Sequence, residues 1–381
     1  MYSDFISLIK DTYPGNEKIN LHEPKFIGNE KKYLEESINS SYVSSVGPFV
    51  DEFEKKLATY LNIKNVILTT NGTSALHIAL KIAGAKEKTE VITQSLTFVA
   101  TSNAIHFCNA HPIFIDVDKN TLGLSASALE DFLNKNCTLD NDGKCWNKKT
   151  KREIVACLPM HTYGFPVEII KIKEICDKYN INLVEDAAEG MGSYYNDIHL
   201  GTFGRLGILS FNGNKIITSG NGGAIITDDD ELALEAKHLT TTARKEHKWH
   251  IDHDKIGYNY RMSNISAAVG LAQLESLDFF LDNKRALAKK YQSFGEKNDL
   301  NFFKENNNSK VNYWLNVLLA NDKNERDEIL NITHNNNIIT RPTWTPMHML
   351  PMNKECDHDD MKNTEFLFDR IINVPSSATD V

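Results

Sequence analysis

Between residues 65 and 187, short apolar runs alternate with segments of helical periodicity, and this alternation limits the folds open to the chain. The apolar runs cover residues 65–70, 90–93, 111–117, 153–160 and 181–187. The first helical segment begins at Gly72, and the others cover residues 97–107, 125–135 and 168–179. Strands that are apolar throughout predict a parallel sheet with helices on both faces. Because right-handed crossovers bring the carboxyl ends of such strands to one edge, we expect ligands there.

Two further apolar runs, residues 206–211 and 222–229, are typical of neighbouring strands in the same sheet. The stretch 134–153 is polar and mixed in charge, which favours a surface loop between a helix and a strand. Residues 265–294 are predicted to form a long helical stretch. These elements extend the predicted α/β architecture to about residue 275.

The pattern divides the chain into a large domain, residues 1–275, and a small C-terminal domain, residues 276–381. The small domain contains the apolar run 311–320, a helix near 324–335 and the run 338–342, which indicate an α+β unit. A length of 381 residues suits such a pair of domains with ample core. We therefore expect an α/β protein with a mostly parallel central sheet and a smaller α+β domain.

The composition argues against several classes of protein. There are 42 Lys and Arg against 51 Asp and Glu, so the net charge is 42 − 51 = −9, which disfavours a broad nucleic-acid or anionic-membrane surface. No apolar run approaches the roughly 18 residues of a membrane span. The first residues carry Asp4 and no basic region, unlike a secretory signal. The six cysteines have no C-x-x-C spacing, so we expect a cytoplasmic protein.

The sequence NGTSALH at residues 71–77 lies between a predicted strand and a predicted helix. Gly72 lets the backbone turn, and the free N–H groups of the helix N-terminus lie beside the hydroxyls of Thr73 and Ser74. This combination suits a phosphate dianion. An ordinary turn with a helix N-cap has the same sequence character and remains the alternative.

Three further residues supply matching chemistry. Asp186 ends a predicted strand, where an ionised carboxylate would hold a protonated pyridine nitrogen; a helix N-cap or a metal ligand is the alternative. Lys215 lies among small residues between two apolar strands, which favours a Schiff-base nucleophile over a solvated charge. Ser210 lies five residues earlier and can donate to a phosphate. Together these groups meet the requirements of pyridoxal 5′-phosphate (PLP).

With these residues in this order, the chain resembles the DegT/DnrJ/EryC1/StrS sugar aminotransferases of PLP fold type I. The resemblance extends from about Leu21 to the C-terminus. The segments that carry it are NGTSALHIAL (71–80), TFVATSNAI (97–105), MHTYG (160–164), VEDAAEGMGS (184–193), SFNGNKIITSGNGGAI (210–225) and GYNYRMSNISAAVGLAQLE (257–275). The resemblance implies a PLP-dependent transaminase with a nucleotide-linked ketosugar and glutamate as substrates.

The resemblance also implies a role for each matching position. Lys215 would bond the cofactor and act as general acid and base, and Asp186 would hold the pyridine nitrogen. The residues implied to cradle the phosphate are Gly72, Thr73, Ser74 and Ser210. Phe98 would stack on the cofactor ring. Asn259 would reach the phosphate of the other subunit's cofactor, so a homodimer with shared active sites is implied.

The chain departs from the family at two positions. Glu189 stands where the family often has a glutamine that contacts the cofactor's phenolic oxygen, and a carboxylate there needs a shared proton or a neighbouring donor. Asn221 stands where the family often has a glutamate after the lysine, so a hydrogen-bonding side chain is kept and a charge is lost.

The segments 21–54, 147–153 and 341–352 resemble a branch related to legionaminic acid synthesis. That branch aminates the C4 ketone of a UDP-linked 4-keto-6-deoxy-N-acetylglucosamine, which implies a role in nonulosonic acid or lipopolysaccharide-type surface glycan synthesis. The alternatives are a GDP-perosamine synthase-type aminotransferase and a non-catalytic PLP-binding regulator. A sugar 3-dehydratase of the same fold would have histidine where Lys215 stands.

Several polar residues are candidates for contact with the substrates. They are Ser45, Gly47, His161, Arg341 and His348. Packing explains His161 equally well, and a structural ion pair explains Arg341 equally well. His247, His250 and His253 recur every three residues, but this spacing does not suit a metal site, so no metal is expected.

Overall fold

The computed structural model describes residues 2–379. The helices are α1 Tyr2–Thr12, α2 Glu30–Asn39, α3 Pro48–Leu61, α4 Gly72–Ile82, α5 Val99–Phe107, α6 Ala126–Asn136, α7 Ile169–Lys178, α8 Asp230–Thr240, α9 Asn264–Glu275, α10 Leu277–Asn298, α11 Lys323–Asn335 and α12 Lys362–Phe368. Among the described residues, no helix has the length and apolar character needed to cross a membrane.

The strands belong to three sheets. Their bounds are β1 Asn65–Thr69, β2 Thr89–Gln94, β3 His111–Ile115, β4 Cys137–Leu139, β5 Cys145–Asn147, β6 Glu153–Leu158, β7 Asn182–Asp186, β8 Tyr194–Tyr195, β9 Ile198–His199, β10 Leu206–Ser210, β11 Gly223–Thr227, β12 Asn301–Phe302, β13 Ser309–Lys310, β14 Asn316–Leu319, β15 Arg341–Pro342, β16 Asp357–His358 and β17 Ile371–Val374. Single 3₁₀ turns cover Thr162–Gly164, Met347–Met349 and Pro351–Asn353.

The central sheet confirms the predicted, mostly parallel arrangement. Its strand order is β1-β11-β10-β7-β6-β2-β3-β16. Six adjacent strands run parallel to one another: β10, β7, β6, β2, β3 and β16. The strand β11 is antiparallel to both of its neighbours, β1 and β10. The strand β1 therefore points the same way as β10, so its carboxyl end lies at the same edge of the sheet.

Helices cover both faces of the central sheet, which explains why its strands are apolar throughout. In β7, the side chain of Leu183 packs into a cluster with residues of α3, α6, α7 and α9. The next residue, Val184, packs into a second cluster with residues of α4, α5 and α8. Alternate residues of one strand thus enter opposite cores.

One prediction about local structure was wrong. The polar stretch 134–153 is not a plain loop, because β4 and β5 form a hairpin within it whose strand β5 also pairs with β6. Cys137 and Cys145 anchor this hairpin by packing into the core. The predicted helical stretch 265–294 is confirmed; it consists of two helices, because Ser276 leaves the helical conformation at φ −102° and ψ 5°.

The antiparallel sheet β12-β14-β17-β15 forms the centre of the small α+β unit. The N-terminal helix α1 packs on this unit: the ring of Phe5 lies 6.4 Å from that of Tyr291 and 6.0 Å from that of Phe302, measured between centroids. In the other direction, β16 joins the edge of the central sheet beside β3. A helix from before residue 275 thus packs on the small unit, and a strand from after residue 275 joins the central sheet. The proposed domain boundary at residue 275 stays a prediction.

Candidate active site

The carboxyl ends of β1, β7 and β10 meet at one edge of the central sheet, where a cavity of about 340 Å³ opens. This volume is within the usual range for a small-molecule or cofactor site. Seven sequence-predicted residues line the cavity: Gly72, Thr73, Phe98, Asp186, Glu189, Ser210 and Lys215. Asn221, the second departure from the family pattern, also lines the cavity.

Asp186 ends β7 and is almost inaccessible to solvent. Its Oδ2 atom accepts a hydrogen bond from the Thr101 hydroxyl at 2.7 Å, and its Oδ1 atom accepts one from the backbone N–H of Ala188 at 3.2 Å. Burial raises the pKa of Asp186, and these two donors oppose that rise. A buried carboxylate held in this way is suited to a cationic partner such as a protonated ring nitrogen.

Lys215 lies in the loop between β10 and β11, where its backbone N–H donates to the carbonyl of Asn212 at 3.0 Å. Its Nζ atom is 3.1 Å from Oε1 of Glu189 and 4.0 Å from the centre of the Trp314 ring. The side chain is 14% exposed. Within residues 2–379 it is the one lysine that lines this cavity. The cavity therefore has a single amine that can act as nucleophile or base.

Glu189 is buried, and its second oxygen, Oε2, accepts a hydrogen bond from the backbone N–H of Tyr163 at 2.8 Å. Tyr163 has φ +57°, a left-handed conformation that non-glycine residues rarely adopt. Its hydroxyl donates to Thr343 and accepts from Asn373, which fixes the residue in place. Burial raises the pKa of Glu189, and the charge of Lys215 opposes this rise.

Helix α4 begins at the cavity wall directly after β1. The side chain of Asn71 caps it, since its Oδ1 atom accepts the backbone N–H of Ser74 at 2.8 Å. The N–H groups of Gly72 and Thr73 belong to the first turn, which lacks acceptors within the helix, so this wall suits an anion. The Ser74 hydroxyl lies behind the wall, 3.1 Å from the hydroxyl of Thr70.

Two glycines allow α4 to start against the sheet. A Cβ atom on Gly72 would lie 3.0 Å from Cβ of Ser210, and one on Gly223 would lie 2.6 Å from backbone atoms of Asn71 and Gly72. Because neither glycine carries a side chain, the helix N-terminus and the Ser210 hydroxyl share one wall, with no side chain between them.

An aromatic wall faces these polar groups. The ring of Phe98 is 47% exposed, and its centroid lies 6.0 Å from that of Trp344. The Trp344 ring in turn lies 5.0 Å from the ring of Tyr163. An open aromatic face beside a buried carboxylate suits the stacking of a planar ring.

The residues of the cavity fit PLP. Lys215 supplies the amine, Asp186 supplies a buried carboxylate for a ring nitrogen, and Phe98 supplies a stacking surface. The start of α4 and Ser210 supply phosphate donors, and the missing Cβ of Gly72 leaves the space for them to act.

His161 does not face the cavity, although it was a candidate for substrate contact. Its ring is fully buried, with Nε2 at 3.0 Å from Oε2 of Glu185. Its backbone N–H donates to the carbonyl of Asp186 at 3.1 Å. The structure therefore places His161 behind the cavity wall, in the packing role that the sequence left open.

Several other candidate residues lie away from the cavity wall, and their contact with a ligand stays a prediction. They are Ser45, Gly47, Asn259, Arg341 and His348. Arg341 is exposed on β15, and the Nδ1 atom of His348 lies 2.7 Å from the hydroxyl of Ser95. Asn259 is exposed, and its backbone pairs with Thr241. Ser45 and Gly47 lie in the partly exposed segment before α3.

Two residues that line the cavity, Thr101 and Trp314, were not predicted from the sequence. Thr101 lies in α5, and only the crossover from β2 brings it to the end of β7. Trp314 lies in an apolar run that indicates a core strand, so its indole gives no separate signal. Among the described residues, no group of three or more His, Cys, Asp or Glu side chains is arranged to hold a metal ion.

Comparisons with known proteins agree with this geometry. The DegT/DnrJ/EryC1/StrS aminotransferase family model matches residues 24–379. The chain is 37% identical over 360 residues to GDP-perosamine synthase of Escherichia coli O157:H7, covering 94% of this chain and 93% of that protein. It is 36% identical over 253 residues to UDP-4-amino-4,6-dideoxy-N-acetyl-beta-L-altrosamine transaminase of Campylobacter jejuni, covering 66% and 63%. A solved DegT DnrJ EryC1 StrS aminotransferase from Brucella abortus is 25% identical, with a TM-score of 0.84 over 91% of this chain and 90% of that one.

Proposed function

The chain belongs to the DegT/DnrJ/EryC1/StrS aminotransferase family, and we propose that it transfers the amino group of glutamate to the C4 ketone of a UDP-linked 4-keto-6-deoxy-N-acetylglucosamine. It is a PLP-dependent nucleotide-sugar aminotransferase of PLP fold type I. The observation that carries the proposed chemistry is the presence of Lys215 and Asp186 in one cavity at the carboxyl edge of the sheet.

PLP would supply an aldehyde carbon that takes up the donor's amino group and passes it to a ketone, and an electron-withdrawing ring that stabilises the negative charge left on carbon. In the proposal, the ε-amino group of Lys215 takes the proton from the donor's α-carbon and later returns a proton to C4 of the sugar. The carboxylate of Asp186 keeps a proton on the ring nitrogen. Thr101 and the N–H of Ala188 support this by holding both Asp186 oxygens in place.

The phosphate is proposed to lie against the first turn of α4, with the Ser210 hydroxyl beside it. The distances at Gly72 support this, since a larger residue would place its Cβ against Ser210. Glu189 is proposed to keep Lys215 inside the cavity. The 3.1 Å contact between these two side chains supports that role.

Two features bear on the nucleotide and sugar. The segments 21–54, 147–153 and 341–352 resemble enzymes that act on a UDP-linked sugar, and the Campylobacter jejuni relative is named for a UDP-sugar. The Escherichia coli relative is named for a GDP-sugar and is similar over more of its length, so a GDP-perosamine synthase-type activity is the second candidate. A non-catalytic regulator has no support, since Lys215, Asp186 and Ser210 are all present in the cavity.

We also propose a homodimer in which Asn259 of each subunit completes the other's phosphate site. Asn259 is exposed, and large apolar side chains of the same region are exposed as well: Trp249 is 69% and Ile256 is 84% accessible. Burial of such side chains by a second copy would favour assembly. The proposed setting is the cytoplasm, and the proposed product is an amino sugar for a surface glycan or nonulosonic acid.

The test is a panel of UDP-, GDP- and dTDP-linked 4-keto-6-deoxy sugars, each incubated with the enzyme, PLP and glutamate, with 2-oxoglutarate as the readout. We expect 2-oxoglutarate to form fastest with the UDP-linked 4-keto-6-deoxy-N-acetylglucosamine, and mass spectrometry to find the matching 4-amino sugar. A preference for the GDP sugar would establish the second candidate, and a preference for a dTDP sugar would overturn both.

A further inference from the structure

Trp314 contacts the loop that carries Lys215 at two points. Its indole Nε1–H donates to the carbonyl oxygen of Asn214, the residue immediately before the lysine, at 2.5 Å. Its ring centre lies 4.0 Å from the lysine Nζ atom, well inside the range of a cation–π contact. One side chain from the C-terminal part of the chain therefore holds both the backbone and the charged tip of this lysine.

The position of Trp314 is itself fixed from several sides. The side chain is 4% exposed. Its backbone N–H donates to Oδ1 of Asn312 at 2.8 Å, and its carbonyl accepts from Nζ of the buried Lys284 at 3.1 Å. These contacts fix the backbone of Trp314, and rotation of the indole away from the lysine would break its hydrogen bond to the Asn214 carbonyl.

The same short segment is also attached to Glu189. The side-chain amide of Asn312 donates to the carbonyl oxygens of Glu189 at 2.7 Å and Met191 at 2.9 Å. The Glu189 carboxylate and the Trp314 ring, the two groups that contact Lys215 Nζ, are thus mounted on one hydrogen-bonded unit. The Asn312 amide thus ties the backbone that carries Glu189 to the backbone that carries Trp314.

We propose that Trp314 is a positioning residue that holds the free ε-amino group of Lys215 between its ring and the Glu189 carboxylate whenever that amine is not bonded to the cofactor. This inference rests on the proposed catalytic role of Lys215. A free lysine side chain has four rotatable bonds, and its rotamer entropy opposes its being held in one place. The ring reduces the freedom of the amine, so proton transfer by Lys215 gains from better positioning.

Two substitutions separate the contributions of the indole. Trp314→Phe keeps an aromatic face but removes the hydrogen bond to Asn214, whereas Trp314→Leu removes both. Trp146, on the hairpin remote from the cavity, gives the matched control Trp146→Leu. For each protein the measurements are kcat, the KM for glutamate, PLP content and thermal stability.

A further readout does not depend on turnover. The cofactor-free chain is treated at neutral pH with a trace of acetic anhydride, and mass spectrometry gives the rate at which Lys215 is acetylated. Because the ring lies against one side of Nζ and shields it from the reagent, Trp314→Leu should speed acetylation of Lys215 by about threefold or more. The same variant should lower kcat by about tenfold or more, with the KM for glutamate and the PLP content little changed.

Trp314→Phe should retain most of the wild-type kcat and acetylation rate, and Trp146→Leu should retain both. The proposal is overturned if Trp314→Leu leaves the acetylation rate unchanged, if its loss of kcat only follows lost PLP or lost stability, or if Trp314→Phe is equally impaired. Failure of the proposed catalytic role of Lys215 would be seen in a different experiment, as transamination that the Lys215→Ala variant still catalyses.

Discussion

The Nζ atom of Lys215 lies 3.1 Å from Oε1 of Glu189, and both groups are enclosed at the carboxyl edge of the central sheet. The family resemblance implies a glutamine at the position of Glu189, and a carboxylate that faces the cofactor's phenolic oxygen needs a shared proton or a neighbouring donor. In this structure the free amine of Lys215 donates to that carboxylate. The second carboxylate oxygen is occupied by the N–H of Tyr163, so the acid is held in one orientation.

Glu189→Gln should lower kcat by about tenfold, because it removes the negative partner of Lys215 while an acceptor for Tyr163 can remain. The pKa of Glu189 is raised by burial, so in the wild type the carboxylate is protonated, and the ion pair weakened, as the pH falls through that raised pKa. Glutamine does not titrate, so in the variant the fall of kcat/KM on the acid side of the pH profile should be smaller than in the wild type. An unchanged acid limb would contradict the prediction, and the exposed Glu174→Gln serves as control.

Asp186→Asn should lower kcat by about 100-fold or more, because the amide keeps the shape of the carboxylate but cannot stabilise a protonated ring nitrogen. Thr101→Val should have a smaller effect, about tenfold, since one of the two donors to the carboxylate remains. Steady-state kinetics at saturating PLP measures both. An Asp186→Asn enzyme with wild-type kcat would show that this carboxylate is not the partner of the cofactor ring.

Gly72→Ala should weaken PLP binding by about tenfold or more, because the new Cβ would lie 3.0 Å from Cβ of Ser210 and narrow the proposed phosphate site. The control is Gly213→Ala, whose Cβ would meet its nearest neighbour, the carbonyl of Gly220, at an ordinary 3.8 Å. Titration of the cofactor-free chains with PLP gives the Kd values. Equal affinities in the two variants would argue against a phosphate at the start of α4.

Asp359→Asn tests a pH effect outside the active site. Burial and the neighbouring Asp116 raise the pKa of Asp359 to about 7. The stability that this group contributes is present below its ordinary pKa near 4 and is lost as the pH rises through about 7. Asparagine carries no charge at any of these pH values and can still accept the backbone N–H of Asp116.

The Tm of Asp359→Asn minus the Tm of the wild type should therefore be larger at pH 8 than at pH 6, by about 2–4 °C. Thermal unfolding of the holoenzyme at several pH values measures this difference. The exposed Asp282→Asn should show no such trend. A Tm difference that is the same at pH 6 and pH 8 would contradict the raised pKa.

The sequence was sufficient to predict the part of the fold that depends on regular patterns. The run 181–187 is observed as β7. Asp186, the last residue of β7, lies at the sheet edge where the parallel strands were expected to end. The start of α4 follows β1 as predicted, because Asn71 and Gly72 carry the local signals of a turn and a helix cap.

The contacts that hold Lys215 could not be predicted, because they join parts of the chain that are distant in sequence. Glu189 is placed by the unusual backbone of Tyr163, and Trp314 is placed by a network of buried polar groups. Neither has a periodic signal. The hairpin of β4 and β5 was missed for a related reason, since its charged residues resemble a loop although Cys137 and Cys145 anchor it in the core.

The most direct test of the account is to identify the lysine to which the cofactor is bonded. Borohydride reduction of the holoenzyme fixes PLP on that lysine, and mass spectrometry of the digested protein locates it. We predict that the modified peptide contains Lys215, and that Lys215→Ala has no modified peptide and no transaminase activity. Modification of a different lysine, or undiminished turnover by Lys215→Ala, would contradict the assignment.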